Sequence, residues 1–381
     1  MQQYTGNYER QSKNRRISER ALDDFYYYTF TPKPLSSGGF YALDEELSAL
    51  LSRAHGKLGL LEGMTKYISD SGLFRDLMML KESYCSRLID YDGDSFTQAI
   101  KSMGISTRGG TTDTERIFSA YKYSLSQCVN SRTLSRIYTI AMNGDDTDIN
   151  LNVRREAISL SKSFSNLRVY NPTAPDRILP TIADITAFLS NDMTTDVMVK
   201  AALAHYQFEM IHPYERYNGI VGRIMIPMIM YNHGIKAAPF LGLSELLYLC
   251  KNEYFDILRA TQYSGGYISL IKFFVEVIYN AASLRSIQLE KMAQIIADDE
   301  ARLKASDTST STLSVFEYFK KHLVSEIKPI AESLDVSYNT SAKAVDRLLE
   351  MSILIKDGRQ FRHRKFVYDR LITALSSNDH L

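Results

Sequence analysis

The sequence is poor in the residues and patterns that mark several large classes of protein. It has only three cysteines, Cys85, Cys128 and Cys250, whose wide spacing fits neither a disulfide framework nor a metal-ligand cluster. Its 45 Lys and Arg are balanced by 44 Asp and Glu, so overall charge indicates neither a nucleic acid nor a membrane as partner. We therefore expect a reducing compartment, with any charged interface confined to a local patch.

Long apolar segments are also missing. The N-terminal residues lack the apolar core of a signal peptide, and no uninterrupted apolar run approaches the ~18 residues of a spanning helix. We expect a cytoplasmic protein without a membrane partner. With 381 residues, 45% of them hydrophobic, the chain is long enough for about two or three domains with cores of their own.

One stretch near the middle of the chain combines two helix patterns and a polar loop. The run 199–210 keeps helical apolar spacing. Pro213 lacks an amide hydrogen and cannot continue that helix, so His212 is predicted at the mouth of a loop. The loop 213–222 is followed by the apolar run 224–230, which predicts a second buried helix.

This arrangement predicts an anion site. The free amides that open a helix, together with its positive end, favour a negatively charged group. Arg223 lies just inside the second helix and adds a cation, while His212 at the opposite rim adds a base. The alternative for His212 taken alone is a structural histidine at a helix end.

The same stretch resembles the signature of the Fic (Fic/Doc) family, H-P-F-x-(D/E)-G-N-G-R-x-x-R. The residues that match in register are His212, Pro213, Tyr214 in place of Phe, Asn218, Gly219 and Arg223. The residues that depart from it are Arg216 at the acid, Tyr217 at the first glycine and Ile220 at the first arginine.

The resemblance implies a reaction and a set of roles. The reaction is transfer of AMP from ATP, as substrate, to a Tyr, Ser or Thr hydroxyl of a target protein. His212 would be the general base, because its unperturbed pKa lies near neutrality. The predicted nucleotide-binding residues are Asn218, Gly219, Gly222, Arg223, which would hold a terminal phosphate, and Arg216.

The family also uses Mg²⁺, whose carboxylate ligand is absent here. Arg216 cannot bind a cation, so two interpretations stay open. Its guanidinium could neutralise phosphate charge in the place of the metal, or the site has lost catalysis and kept only a nucleotide pocket. Tyr217 adds a side chain where the glycine would let a backbone amide approach phosphate.

Two further segments correspond to family features. Ser86 to Tyr91 resembles an inhibitory motif in which a carboxylate, here Asp90, pairs with the arginine of the signature and blocks productive ATP binding. Asp90 capping the next turn is the alternative. The segment 167–172, with Arg168, Val169 and Tyr170, resembles a β-hairpin flap that binds the target by strand addition.

The C-terminal pattern of three helices and a hairpin predicts a winged helix-turn-helix. Candidate DNA-binding residues are Ser337, Tyr338, Asn339, Thr340 and Lys343 on the recognition helix, and Arg362, Arg364 and Lys365 on the wing. Such domains bind either DNA or protein, and the sequence leaves both open. It also leaves open whether the chain forms a homodimer.

Taken together, the patterns predict a mainly α fold in four regions. We expect a helical N-terminal extension over 1–115, which carries the inhibitory motif. A Fic-like helical core with a short flap is expected over 116–290. A connector helix and linker over 291–312 and the winged helix domain over 313–381 complete the chain. The aromatic cluster Phe25 to Phe30 is expected to lie across the core, and stacking on nucleic-acid bases is the alternative.

Overall fold

The computed structural model describes residues 5–18, 21–68, 71–91, 112–144, 151–158, 160–161, 168–306, 308–357 and 364–376. Side chains are described throughout these ranges except within the strand residues 12–18, 21–27, 160–161 and 168–170. A mainly helical fold was predicted, and the structure confirms it.

The N-terminal region begins with two strands, where we expected a helical extension. Strand β1 (Gly6–Ser18) pairs antiparallel with β2 (Ala21–Pro32), from Gly6 opposite Pro32 to Ser18 opposite Ala21. The expectation of a helical region was wrong for these residues, which pair as two strands. Thr29 and Phe30 of β2 are fully buried, whereas Tyr28 is 57% exposed.

Helices follow the two strands. Within the predicted extension these are α1 (Glu45–Tyr67) and α2 (Ser71–Asp90), whereas α3 (Asp113–Ser124) and α4 (Ser131–Asn143) lie mainly in the region predicted as the core. The apolar residues of α1 that recur at helical spacing are buried, namely Leu47, Leu50, Ala54, Leu58 and Leu61. Asp44 caps α1 by accepting a hydrogen bond from the Leu47 amide at 2.7 Å.

Two buried helices form the centre of the fold. The short antiparallel pair β3 (Leu160–Ser161) and β4 (Arg168–Tyr170) precedes α5 (Ile178–Asn191), α6 (Val197–Ile211) and α7 (Asn218–Asn232). Both α6 and α7 are buried on all sides along nearly their whole length. A helix that is apolar all round has to be covered by its neighbours, and so these two lie in the core.

Three further helices close the central unit: α8 (Leu243–Leu249), α9 (Lys251–Ser264) and α10 (Tyr267–Ala305). Helix α10 has 39 residues and packs against α1 and α6. By length and composition alone it could cross a membrane, but half of its most apolar window is buried inside the protein. A core helix passes the same test.

The C-terminal unit contains α11 (Thr310–His322), β5 (Val324–Ser325), α12 (Ile327–Leu334), α13 (Tyr338–Glu350), β6 (Ile355–Asp357), β7 (Lys365–Val367) and α14 (Asp369–Ser376). Its strands form an antiparallel sheet in the order β5-β7-β6. The sequence pattern misses β5, which has only two residues. The winged helix assignment stays a prediction.

The C-terminal unit is anchored to α2 and α10 by buried polar contacts. Lys81 Nζ of α2 donates to the Leu375 carbonyl of α14 at 2.6 Å. Asp299 of α10 accepts hydrogen bonds from the Tyr368 hydroxyl at 2.8 Å and from Arg370 Nη1 at 2.6 Å. Most of the region predicted as connector helix and linker is the end of α10, and the C-terminal unit packs against that helix.

Candidate active site

His212 lies directly after α6, where the sequence predicts it. It is the C-cap residue and has the left-handed backbone conformation, with φ 50° and ψ 63°. Its Nδ1 lies 3.0 Å from the Glu209 carbonyl oxygen. Because a carbonyl only accepts, Nδ1 carries the hydrogen and Nε2 keeps its lone pair.

The surroundings of His212 keep its ring neutral. The side chain is 17% exposed. Burial lowers the pKa of His212 to about 4, while the hydrogen bond to Glu209 opposes this shift. The imidazole is therefore uncharged at neutral pH, as a general base has to be before it accepts a proton.

Asn218 closes the loop that follows His212. Its Oδ1 accepts from the Tyr214 amide and its Nδ2 donates to the Tyr214 carbonyl, each at 2.8 Å. Tyr214 is fully buried and stacks on Tyr138 with ring centroids 4.3 Å apart. The Asn218 side chain was predicted to hold phosphate, and the structure uses it to tie the loop together.

Arg223 lies in the first turns of α7 and is held by the end of α2. Its Nε donates to Ser86 Oγ at 2.9 Å, and its Nη2 donates to the Ser86 carbonyl at 2.9 Å. Nη2 also forms an ion pair with Asp90 Oδ2 at 2.6 Å. The two residues of the predicted inhibitory motif therefore both contact the arginine, although an aspartate is a methylene shorter than glutamate.

The two glycines of the predicted nucleotide site have different surroundings. A methyl group on Gly219 would lie 2.6 Å from Arg223 Nη1 and 2.7 Å from Asp90 Oδ2, so Gly219 faces the ion pair. A methyl group on Gly222 would lie 2.4 Å from Glu209 Oε1. Gly222 thus allows α6 and α7 to approach each other, which is a packing role.

The three departures from the signature have distinct structural settings. Tyr217 has φ 61°, a conformation that favours glycine, and its ring packs edge-on against Tyr91 with centroids 5.6 Å apart. Ile220 is fully buried in the core. Arg216 is exposed on the loop. Of the three, Arg216 is the most exposed and Ile220 is closed off by the core.

Sequence reasoning missed Glu209, which lies beneath the site. It is buried in α6, and its Oε2 is 4.0 Å from His212 Nδ1. Burial raises the pKa of Glu209 to about 8; Arg223 opposes this shift and Asp90 adds to it. Glu209 could have been noticed in the sequence, because an acidic residue is unusual in an otherwise apolar helix pattern.

Two other histidines lie on the helices beside the site. His205 is fully buried, with Nδ1 2.9 Å from the Gly222 carbonyl and Nε2 2.9 Å from the Tyr254 hydroxyl. His233 lies at the end of α7, within hydrogen-bond distance of the Ile229 and Leu189 carbonyls. Both rings are therefore engaged by neighbouring groups of the fold.

The candidate flap and DNA-binding residues lie away from this loop in sequence. Arg168, Val169 and Tyr170 form β4, and nothing is described of their side chains. Ser337 is the N-cap of α13, and its Oγ accepts from the Thr340 amide at 3.1 Å. The recognition-helix residues Tyr338, Asn339 and Lys343 lie on α13, Arg364 precedes β7 and Lys365 begins it, while Arg362 lies outside the described residues.

The residues present do not fit the Mg²⁺ of the family. The position of the motif acid holds the guanidinium of Arg216. Asp90 is engaged by Arg223, and Glu209 is buried. Within the described ranges, no group of three or more His, Cys, Asp or Glu side chains is arranged to hold a metal ion.

Comparisons with known proteins identify the central unit. A protein adenylyltransferase from Caenorhabditis briggsae is 33% identical over 67 residues, which are 17% of this chain and 13% of the relative. A probable protein adenylyltransferase from Aquifex aeolicus (strain VF5) is 35% identical over 71 residues, 19% of this chain and 22% of the relative. The chain thus spans less than a quarter of the length of either relative.

The fold is shared more widely than the sequence. A solved structure of a Fic family protein from Desulfovibrio desulfuricans G20 has a TM-score of 0.56 and 14% identity; the match covers 87% of this chain and 98% of that one. The family model described as Fic/DOC family matches residues 128–230, which include His212 and Arg223. Residues 128–230 therefore carry a Fic/DOC family domain.

Proposed function

We propose that the protein transfers AMP from ATP to a Tyr, Ser or Thr hydroxyl of a target protein, and that α2 holds this activity in check. The observation that carries the proposal is the pairing of a neutral His212, with its Nε2 lone pair retained, and a buried Arg223 across one short loop. The adenylyltransferase names of the two relatives support the same reaction, although each similarity covers a small part of either chain.

In the proposed reaction the target hydroxyl oxygen attacks the α-phosphorus of ATP. The new O–P bond forms as the bond from that phosphorus to its bridging oxygen breaks, and pyrophosphate leaves. His212 Nε2 accepts the hydroxyl proton. The amides that open α7 face the phosphate oxygens, and the exposed Arg216 supplies a positive charge beside them.

Arg223 would hold the terminal phosphate, but Ser86 and Asp90 now accept the hydrogen bonds of its Nε and Nη2. ATP and Asp90 bind the same guanidinium, so productive binding of ATP requires the end of α2 to move away from Arg223. The Tyr91 and Tyr217 rings pack together at the same place and add to this closure. We expect low activity in the wild-type chain and higher activity when Asp90 is removed.

The test is transfer of label from α-labelled ATP to protein, measured for the wild type and for Asp90→Ala. The same assay on His212→Ala should lose all protein-bound label, because general base catalysis contributes roughly 10²–10⁴-fold. His322→Ala, which changes an exposed histidine in α11, is the matched control and should leave transfer unchanged. Binding of ATP without His212-dependent transfer in any variant would refute the enzyme proposal.

We propose DNA binding by the C-terminal unit as a second function. A cavity of about 540 Å³ lies between the start of α11 and α13, and its lining includes Asn339, Thr340, Lys343 and Arg347 beside several hydroxyl side chains. Lys and Arg with hydroxyl groups are the donors that contact phosphate backbones. In this alternative the Fic domain senses nucleotide without turnover and the chain acts as a regulator.

Fluorescence anisotropy with duplex DNA at two salt concentrations tests this second function. Loss of Lys343 and Arg347 should weaken binding and reduce its salt dependence. Lys328→Ala on α12, which removes an exposed lysine paired with Glu332, is the control and should have little effect. Binding that is unchanged in the double variant would exclude this face of α13.

A further inference from the structure

Arg154 is a buried arginine that contacts the backbone on both sides of the candidate site. It is 3% exposed. Its Nε donates to the His212 carbonyl at 2.7 Å, and its Nη2 donates to the Ile211 carbonyl at 3.1 Å. Its own amide donates to the Pro213 carbonyl at 2.8 Å. One residue therefore holds three consecutive carbonyls at the point where α6 ends.

The guanidinium of Arg154 also donates hydrogen bonds to carbonyls outside the loop of His212. Nη2 also donates to the Thr173 carbonyl, and Nη1 donates to the Glu156 carbonyl at 2.9 Å. Thr173 follows β4 closely, and its Oγ1 donates to the Phe30 carbonyl of β2 at 3.0 Å. Arg154 thus links the loop of His212 to Thr173, just after β4. Thr173 in turn links this loop to strand β2 of the N-terminal hairpin.

These contacts determine the conformation of His212. A residue other than glycine in the left-handed region is strained and stays there only when its surroundings over-determine it. The carbonyls of the last turn of α6 also carry the negative end of the helix dipole, which a cation stabilises. The planar fork of an arginine presents five N–H donors in a fixed geometry, whereas a lysine ammonium is a compact charge with three donors.

We infer that Arg154 is a positioning residue for adenylyl transfer, because it sets His212 at a fixed distance from the segment predicted to bind the target. This inference rests on the proposed function. Its effect on chemistry passes through the histidine, since the contacts of Arg154 described above are to backbone carbonyls. A shift of the imidazole by about 1 Å costs roughly 100-fold in rate.

The charge of Arg154 adds a second, separable effect. The charged groups that act on His212 are Asp90 of α2 and Arg154, and the titratable carboxyl of Glu209 in α6 lies 4.0 Å from its Nδ1. Burial lowers the pKa of His212 first, and Arg154 lowers it further. Replacing Arg154 by glutamine should therefore raise the pKa of His212, whereas replacing it by lysine should keep the pKa low and still disturb the geometry.

The experiment combines transfer kinetics with an NMR titration of the His212 ring in full-length protein, assigned by comparison with His212→Ala. Kinetics are measured in the Asp90→Ala background. Arg154→Gln should lose roughly 100-fold in kcat, raise the pKa of His212 and weaken its preference for the Nδ1–H tautomer. Arg154→Lys should lose a comparable part of kcat with little change in that pKa, and should raise KM for the target protein more than KM for ATP.

Arg155→Gln is the matched control, because it changes an exposed arginine at the adjacent position. It should leave kcat, the pKa and the tautomer unchanged. If Arg154→Gln fails to fold, Arg154→Lys decides the question. Wild-type kcat and an unchanged His212 titration in the Arg154 variants would overturn the inference. Absence of transfer from every form would refute the proposed function alone, and the NMR titration would then decide whether Arg154 positions the ring.

Discussion

The functional groups at the two ends of the loop between α6 and α7 differ in whether they are free to act on a substrate. At the first end, His212 is neutral and its Nε2 keeps a lone pair. At the second end, Arg223 is buried and is already held by Ser86 and Asp90. The base His212 is thus ready to accept a proton, whereas the cation Arg223 is already bound by other residues. This indicates that the activity is limited by access of phosphate to Arg223 rather than by the protonation of His212.

The difference follows from how the two ends are covered. His212 is positioned by the backbone of its own helix and by Arg154, which are fixed parts of the core. Arg223 is covered by the end of α2, whose Asp90 side chain is 24% exposed. A helix end at the surface can move away, whereas the packed pair α6 and α7 cannot. The predictions below test this contrast.

The largest effect is expected from Arg223 once the site is open. In the Asp90→Ala background, Arg223→Gln should lower transfer by roughly 10²–10³-fold, because a charged donor to phosphate is lost. Steady-state transfer of labelled AMP measures the change. Arg259→Gln, which breaks an exposed pair with Asp256, is the control. Equal rates for Arg223→Gln and Arg259→Gln would remove Arg223 from the site.

The next largest effect is expected from removing the inhibitory contact between Asp90 of α2 and Arg223. Asp90→Ala should raise transfer about tenfold or more over the wild type, since a charge-assisted hydrogen bond contributes about 1.5–3 kcal/mol. Asp76→Ala, on the exposed face of the same helix and paired with Arg75, should change little. A rate in Asp90→Ala no higher than in the wild type would contradict the inhibitory role of α2.

The pH dependence tests the other end of the loop. A base with an ordinary histidine pKa of about 6.5 would lose several-fold in rate between pH 7 and pH 5.5. Because burial lowers the pKa of His212 to about 4, its ring stays neutral over that range. The rate of Asp90→Ala should therefore change by less than about twofold. A transition centred near pH 6.5 would show that His212 titrates normally.

The smallest effect is expected for stability at Tyr217. Tyr217→Gly should relieve left-handed backbone strain of about 1–2 kcal/mol and lose an aromatic contact of about 0.5–1.5 kcal/mol. The net change in the free energy of unfolding should stay within about 1 kcal/mol, measured by urea denaturation. Tyr231→Gly, in the regular helix α7, should cost more. Equal losses would mean that the Tyr217 backbone is not strained.

Much of the candidate site could be predicted because it is local in sequence. The end of α6 at Pro213, the position of His212 and the start of α7 all follow from residues within a few turns of each other. The spacing of Ser86 and Asp90 likewise predicted that both would lie at the end of α2. In these places helix geometry alone relates the residues.

Other features could not be predicted because they depend on distant segments. Nothing in the neighbourhood of Arg154 indicates that it contacts His212, 58 residues away. The β1–β2 hairpin was missed because the consecutive aromatic residues of β2 show no clear alternation of apolar and polar side chains, and Thr29 and Phe30 are both buried. The Asn218 side chain was assigned to phosphate, whereas the loop itself takes both of its polar groups.

By itself, the sequence determined the helical periods, the helix-loop-helix that carries His212 and Arg223, and the resemblance to the Fic family, since all of these are set by chemistry between near neighbours. Only the tertiary structure decided that Arg223 is engaged by α2 and that Arg154 holds the histidine loop. Those contacts join residues more than 50 positions apart, and packing of the whole core brings them together.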